Sequence, residues 1–219
     1  KKNLTGEEIS DQVLYFKANN LPVKSIAFMG MGELLINLDN VFAALRIIID
    51  PLYLGFSQRR ISLSTVGIVP GIQQLTRTFP QVNLAFSLHS PFPEQRLALM
   101  PITKIYSIDL VMKALDKHIC LTNKRVFLAY VFLAGVNDSI SHAKELVKLI
   151  RKRGKFAYLY HVNLIRYNPG STLMKFAKPT SKKIEVFRQI LRQNGIKHTL
   201  RQSFGVNIAA ACGQLVGRK

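Results

Sequence analysis

The stretch Val126-Phe127-Leu128-Ala129-Tyr130-Val131 is apolar at every position and contains β-branched and aromatic residues. A short run of this kind is typical of a β-strand that is buried on both faces. Parallel sheets bury their strands in this way, because helices cover both faces of the sheet. The run therefore predicts a parallel sheet wrapped by helices.

Apolar runs of strand length alternate with helical patterns along the chain, which is the arrangement of α/β proteins. We predict six strands, at residues 25–29, 61–64, 82–88, 126–133, 158–165 and 198–200. The patterns between them predict helices at residues 41–49, 71–79, 108–121, 140–153 and 182–193. Thr5-Gly6-Glu7-Glu8 has the form of a capping box and predicts a first helix that runs to about Ala18. No Gly/Ser-rich linker divides the 219 residues, so we expect one domain over residues 1–219.

Polar residues and glycines follow four of the predicted strands. Barrels built from parallel strands place their sites at these carboxyl ends, although the strand pattern alone also fits an open doubly wound sheet. The first segment lacks the full G-x-G-x-x-G spacing, so a dinucleotide site is poorly supported. The residue types suit a small zwitterionic ligand that carries a ribose. The four segments are Gly30-Met31-Gly32-Glu33, Ser64-Thr65, Ser87-Leu88-His89-Ser90 and Arg166-Tyr167-Asn168-Pro169.

Charge and cysteine content narrow the functional class. Lys and Arg number 31 against 12 acids, which gives a formal charge of +19. This charge favours a nucleic-acid partner over the alternatives of anionic lipid or a generally basic proteome.

Cys120 and Cys212 are the two cysteines, too few for a site of three or four thiolates. No apolar run approaches the roughly 18–20 residues that span a bilayer. We expect a cytoplasmic protein without a membrane partner.

Six motifs occur in order between about Leu4 and Gly217. They closely resemble the radical S-adenosylmethionine (SAM) methyltransferases that act on an adenosine of 23S ribosomal RNA at the peptidyl-transferase centre. This family has a housekeeping branch that methylates C2 and a chloramphenicol–florfenicol resistance branch that methylates C8. Residues 87–91, 161–169 and 201–205 resemble the resistance branch and favour C8. The motifs are FMGMGE, RRISLSTVGIVP, LAFSLHSP, LMPI, YNP and AACGQL.

The resemblance implies an incomplete six-stranded (β/α) barrel that lacks the first strand and the loop that holds the family's iron–sulfur cluster. It also implies SAM ligands at the strand ends, where the Glu33 carboxylate would accept hydrogen bonds from the methionyl ammonium. Taken singly, these residues also fit purely structural roles: Ser64 could cap the turn that follows its strand, and His89 could make a structural hydrogen bond. The implied ligands are Gly32, Glu33, Ser64, Ser87, Leu88 (through its backbone), His89 and Asn168.

Cys212 matches the cysteine that, in the family, accepts a methyl group from one SAM before the carbon is passed to adenine. Its neighbours in Ala209-Ala210-Ala211-Cys212-Gly213 are small and leave room for a bulky partner. The alternative is a small buried core residue, the commoner situation for a single cysteine. We expect Cys120, which lies in an apolar helical pattern, to be buried in that way.

The family also requires a [4Fe-4S] cluster, held by three cysteines in a loop that precedes the segment resembling Lys1-Lys2-Asn3-Leu4-Thr5. We therefore expect no metal ligands in this chain and no turnover by the chain alone. The expected cofactors are SAM and the cluster, and the expected partner of the monomer is 23S rRNA, with tRNA as an additional substrate of the C2 branch. The alternatives are a C2 methyltransferase and a non-catalytic RNA-binding remnant.

Overall fold

The structure, a computed structural model, describes residues 2–29, 32–168 and 176–202. Within these ranges it contains helices α1 (Gly6–Ala18), α2 (Leu38–Ile49), α3 (Val69–Thr78), α4 (Pro93–Leu99), α5 (Ile108–Thr122), α6 (Ile140–Arg151) and α7 (Ser181–Gln193). The strands are β1 (Ile26–Phe28), β2 (Ile61–Thr65), β3 (Asn83–Ser87), β4 (Val126–Phe132), β5 (Tyr160–Arg166) and β6 (His198–Arg201). Short 3-10 helices cover Leu34–Ile36, Gln58–Arg60, Pro101–Lys104 and Gly154–Leu159.

The six predicted strands and six predicted helices are confirmed to within a few residues. The capping box is also present, with Glu8 N donating to Thr5 Oγ1 at 3.2 Å and Thr5 N donating to Glu8 Oε2 at 2.9 Å. Helix α4 is absent from the sequence predictions, because a helix of only seven residues shows little periodicity. No helix in the described ranges is long and apolar enough to cross a membrane.

All six strands are parallel, and each pairs with the next one along the chain, in the order β1-β2-β3-β4-β5-β6. A doubly wound sheet reverses its strand order at one point, whereas a barrel adds each strand beside the previous one. Within the described ranges no ladder joins β6 to β1, so the sheet is open. This topology confirms the predicted partial barrel.

One face of the sheet carries the core, while the other face is partly exposed. In β4, buried Val126, Leu128, Tyr130 and Phe132 alternate with partly exposed residues, and β2 and β5 alternate in the same way. The prediction that β4 is buried on both faces is therefore wrong. Phe127 and Val131 are apolar, but they line the open face, where a barrel has its interior.

Candidate ligand site at the carboxyl ends of the strands

Gly32 and Glu33 form the turn that follows β1. Gly32 has a φ of +91°, a conformation that favours glycine, and among the described residues no atom lies within 4 Å of the position that a Cβ would take there. Glu33 comes next and caps the 3-10 helix at Leu34–Ile36, where its Oε1 accepts a hydrogen bond from Leu35 N at 3.1 Å. The glycine therefore sets the turn that brings the carboxylate to the end of the sheet.

The Glu33 carboxylate also joins the end of β1 to the end of β2. Its Oε1 accepts from Thr65 Oγ1 at 2.7 Å, and its Oε2 accepts from Val66 N at 2.7 Å. A carboxylate offers about four acceptor positions, and these contacts together with Leu35 N fill three. Glu33 is thus held rigidly and keeps room for about one further donor. Thr65 lies in the polar segment predicted at the end of β2, but its contact with Glu33 is visible only in the structure.

Ser64 on β2 and Ser87 on β3 meet on the open face, with their Oγ atoms 3.4 Å apart. Both side chains are partly exposed, whereas Thr65 beside Ser64 is buried. The period of two along a strand explains this contrast, because neighbouring side chains point to opposite faces. The structure therefore brings together two of the predicted ligand residues and gives them hydroxyl groups that can donate or accept.

Leu88 and His89 form a tight turn directly after β3. Both backbone N–H groups donate to Ala129 O, at 3.0 and 3.3 Å, and Ser90 N donates back to Leu88 O at 2.7 Å. His89 adopts a φ of +56°, which is uncommon for a residue other than glycine and marks local strain. The Leu88 side chain is fully buried. With its N–H and carbonyl also bonded, Leu88 fixes the backbone and leaves no free donor.

The His89 imidazole is held as a neutral ring. Its Nδ1 lies 3.1 Å from Val131 N and accepts that backbone hydrogen bond, so the proton of the neutral ring is on Nε2. Burial lowers the pKa of His89 to about 4, and the charge of Arg96 acts in the same direction. Near neutral pH, His89 therefore presents Nε2–H as an uncharged donor.

Arg96 on α4 holds the ends of β2 and β3 together, and it is fully buried. Its Nε donates to Leu88 O at 3.2 Å, and its Nη2 donates to Ser87 O at 3.1 Å and to Val66 O at 2.7 Å. Nη1 donates to Thr103 Oγ1, and the guanidinium lies over the Phe86 ring. Burial lowers the pKa of Arg96 to about 10, so the group stays charged at neutral pH.

Asn137 performs a similar task between the ends of β3 and β4, and it too is fully buried. Its Nδ2 donates to His89 O at 2.7 Å and to Val131 O at 2.8 Å, while its Oδ1 accepts from Leu133 N at 2.7 Å. Tyr130 Oη donates to Asn137 O at 2.7 Å, which ties the loop to the core. Sequence reasoning missed both Arg96 and Asn137, since an isolated Arg or Asn gives no signal of burial.

Asn168 and Cys212 are the remaining predicted site residues. Asn168 follows β5 and is buried. Cys212 lies outside the described residues. Cys120 is exposed on α5, so the prediction that it is buried is wrong. The buried stripe of α5 includes Val111, Leu115 and Ile119, and Cys120 is one residue out of phase with it.

The open face provides space beside these groups. The strand register places Ser87, Ala129, Asn163 and Thr199 in one row across β3 to β6, and three of these side chains can form hydrogen bonds. The residues therefore fit a ligand with several polar groups. Within the described ranges no three His, Cys, Asp or Glu side chains are grouped so that they could hold a metal ion. With only two cysteines, the chain cannot supply the three thiolates of an iron–sulfur cluster.

Comparison with known proteins identifies close relatives. The chain is 54% identical over 220 residues to the "Ribosomal RNA large subunit methyltransferase Cfr" of Lachnoclostridium phytofermentans, covering 100% of this chain and 64% of that protein. It is 52% identical over 218 residues to the protein of the same name from Staphylococcus aureus, covering 99% of this chain and 62% of that protein. The chain thus spans a little under two thirds of the length of these curated relatives. No protein-family model matches it.

Two solved structures are also similar to this chain. A radical SAM methyltransferase from Sphaerobacter thermophilus superimposes with a TM-score of 0.90 at 40% identity, over 98% of this chain and 62% of the other. A domain of the pyruvate-formate lyase-activating enzyme from Bacteroides vulgatus matches with a TM-score of 0.59 at 16% identity, over 82% of this chain and 100% of the other. The second likeness concerns the fold alone.

Proposed function

Because its whole length is homologous to methyltransferases of large-subunit ribosomal RNA, we propose that this chain is the SAM-binding part of a radical SAM enzyme that methylates an adenosine of 23S rRNA. The observation that carries the proposal is the cluster of rigidly held polar groups at the ends of β1, β2 and β3, at the positions where the sequence motifs lie. By homology, the cytoplasm is the proposed location and antibiotic resistance the proposed consequence.

SAM fits the donors and acceptors of this site. The remaining acceptor position of Glu33 suits the methionyl ammonium, and the Ser64 and Ser87 hydroxyls suit the ribose or the carboxylate. His89 offers one neutral hydrogen-bond donor. Asn168 at the end of β5 offers an amide, which can both donate and accept hydrogen bonds. When bound, SAM supplies the methyl group and the 5′-deoxyadenosyl group. Arg96, Thr65 and Asn137 contribute by holding these strand ends in place before the ligand arrives, which lowers the ordering cost of binding.

The iron–sulfur cluster does not fit the residues of this chain, as described above. Cys212 is proposed as the methyl-carrying residue on the basis of its motif, since a thiolate is the nucleophile that such a transfer requires.

An RNA substrate agrees with the formal charge of +19, because basic side chains gain affinity when they release counterions from phosphates. Among RNA substrates, 23S rRNA is proposed by homology, and C8 is proposed over C2 by the resemblance of residues 87–91, 161–169 and 201–205. A C2 enzyme that also accepts tRNA is the second candidate, and a non-catalytic RNA-binding remnant is the third.

The deciding experiment incubates the full-length gene product with SAM, a reductant and a 23S rRNA fragment from the peptidyl-transferase centre. Mass spectrometry of the nucleosides should then give 8-methyladenosine. Appearance of 2-methyladenosine would instead identify the C2 enzyme. Binding of the fragment by a gene product that neither assembles a cluster nor forms a methylated nucleoside would identify the remnant.

A further inference from the structure

Helix α6 has a basic stripe on the side that faces away from the core. Its buried side includes Ala143, Leu146, Val147 and Ile150, as expected for a helix that packs on the sheet. On its outer side, and in the residue that caps its end, four cationic side chains are exposed. Their spacing of i, i+4, i+7 and i+8 places them in one row: Lys144, Lys148, Arg151 and Lys152.

The stripe lines a groove of about 490 Å³. Val147 and Asn194, the residue that caps the end of α7, also line the groove. Arg151 Nη2 donates to Asn194 O at 3.3 Å, a contact that joins the two helices and orients the guanidinium. The groove is therefore an open, shallow depression that residues of both helices line.

Few carboxylates compensate this charge. Glu145 lies 3.6 Å from Lys148 Nζ and Asp109 lies 3.9 Å from Lys152 Nζ, but both pairs are solvent-accessible and therefore weak. Within the described ranges, Lys144 and Arg151 have no carboxylate within salt-bridge distance. None of the described residues that line the groove is acidic. The site is thus suited to a polyanion.

The groove lies on the helix layer, whereas the candidate ligand site lies at the strand ends and on the open face of the sheet. The helices and the sheet separate the two. A ligand that contacts both places must therefore reach around the domain. A folded RNA can do this, and a short oligonucleotide that fills only the strand-end site cannot.

We propose that the groove lined by Lys144, Lys148, Arg151 and Lys152 binds backbone phosphates of the substrate RNA at a segment remote from the methylated adenosine. This inference rests on the proposed function and adds to it that the substrate is recognised as an extended, folded RNA. Phosphate contacts of this kind position an RNA without reading its sequence.

The test compares the wild-type chain with the quadruple variant Lys144→Gln, Lys148→Gln, Arg151→Gln and Lys152→Gln. A matched control removes four exposed cations from α2, α3 and α5, namely Arg46→Gln, Arg77→Gln, Lys113→Gln and Lys117→Gln. Affinity is measured by filter binding as a function of salt for two RNAs. One is a folded 23S rRNA domain, and the other is an oligonucleotide of about 8 nucleotides, within the footprint of one single-stranded site.

For the folded RNA we expect the groove variant to bind at least tenfold more weakly than the control, with a salt slope that is smaller by roughly 3, because each lost phosphate contact removes 0.7–0.9. Affinity for the oligonucleotide should be equal in both variants. Equal loss in groove and control variants would overturn the inference, as would failure of the wild-type chain to bind the folded RNA. Absence of methylation by the full-length protein, with the groove effect intact, would instead contradict the proposed function.

Discussion

The guanidinium of Arg96 donates to the carbonyl oxygen of Leu88 at 3.2 Å and is fully buried. The same group donates to Ser87 O and Val66 O, so one side chain supports the ends of two neighbouring strands. A buried charge that satisfies several carbonyls is strongly destabilising to remove, because each carbonyl then lacks a partner.

We therefore expect Arg96→Met to lower the free energy of unfolding by about 3–5 kcal/mol, measured by urea denaturation. Arg96→Lys keeps the charge but has a single nitrogen in place of the planar fork. It should recover part of the stability while SAM still binds at least tenfold more weakly in calorimetry. Arg77→Met, at an exposed position on α3, is the control and should change stability by less than about 0.5 kcal/mol. Wild-type SAM affinity in Arg96→Lys would contradict a positioning role.

Glu33 and Thr65 should be coupled in SAM binding, because Thr65 Oγ1 holds the carboxylate at 2.7 Å. Glu33→Gln replaces a carboxylate oxygen by an amide group that cannot accept the same hydrogen bonds, and Thr65→Val removes the hydroxyl at similar volume. Each change should weaken SAM binding, and the double variant should lose less than the two single losses combined, by about 0.5–3 kcal/mol. Calorimetry on the four proteins measures this coupling. Additive losses would show that Thr65 acts independently of Glu33.

The sequence predicts the helices and strands well, but it does not predict the buried side chains that hold the strand ends in place. Strand β4 is visible because its apolar residues are consecutive along the chain, and β2 is visible because Ile61 and Leu63 alternate with polar residues. Arg96 is not, because its partners Ser87, Leu88 and Val66 lie 8 to 30 residues away and come together only in the fold. An arginine within a short helical segment is ordinarily solvated, so its burial carries no local signature.

Two other differences have physical causes that can be identified. Phe127 and Val131 are apolar yet line the open face, because a barrel interior also accepts apolar side chains and the run therefore shows no alternation. Cys120 is exposed because it lies one residue outside the stripe of α5, and this phase could have been read from the helical period. By contrast, the motifs predict candidate ligand residues at the strand ends, and the structure places the Oγ atoms of Ser64 and Ser87 3.4 Å apart.

SAM binding should depend on pH through His89, whose pKa is lowered to about 4 by burial and by the charge of Arg96. The neutral ring is the form that accepts from Val131 N and offers Nε2–H. Affinity should therefore be constant from about pH 7 to about 5.5 and should fall as the pH approaches 4. His89→Asn tolerates the φ of +56° and can replace the acceptor, so it should keep the fold, bind several-fold more weakly and lose the part of this pH dependence that His89 contributes. A break in affinity near pH 6.5 in the wild-type chain would contradict the enclosed, neutral ring.

His118 should make the fold sensitive to acid. Thr76 Oγ1 donates to Ile72 O at 2.6 Å, so it can only accept from His118 Nδ1, 2.9 Å away, and the proton of the neutral ring lies on Nδ1. His118 Nε2 is buried without a partner among the described residues. Burial, and then the charge of Lys124, lowers the pKa of His118 to about 4.

Since the folded pKa of His118 lies below the usual value of about 6.5, the unfolded chain binds more protons between these two values. The stability contributed by neutral His118 is complete above pH 6.5 and is lost as the pH falls towards 4, at up to about 1.4 kcal/mol per pH unit. His118→Leu should remove this share of the slope in urea unfolding measured from pH 7 to 4.5. His198→Leu on the edge strand β6 is the control. An unchanged slope in His118→Leu would show that other groups govern the acid sensitivity.

Finally, methyl transfer should depend on Cys212 and should not depend on Cys120. Cys212 lies in the intact motif Ala211-Cys212-Gly213-Gln214-Leu215, whereas Cys120 is exposed on a helix away from the strand ends. Forming a thioether consumes a thiolate, and neither alanine nor serine provides a comparable nucleophile at neutral pH. In the full-length gene product, Cys212→Ala should abolish RNA methylation, while Cys120→Ser should leave it unchanged. Peptide mass spectrometry of protein supplied with SAM should find the added methyl group on Cys212. A methyl group on Cys120, or full activity of Cys212→Ala, would overturn the assignment.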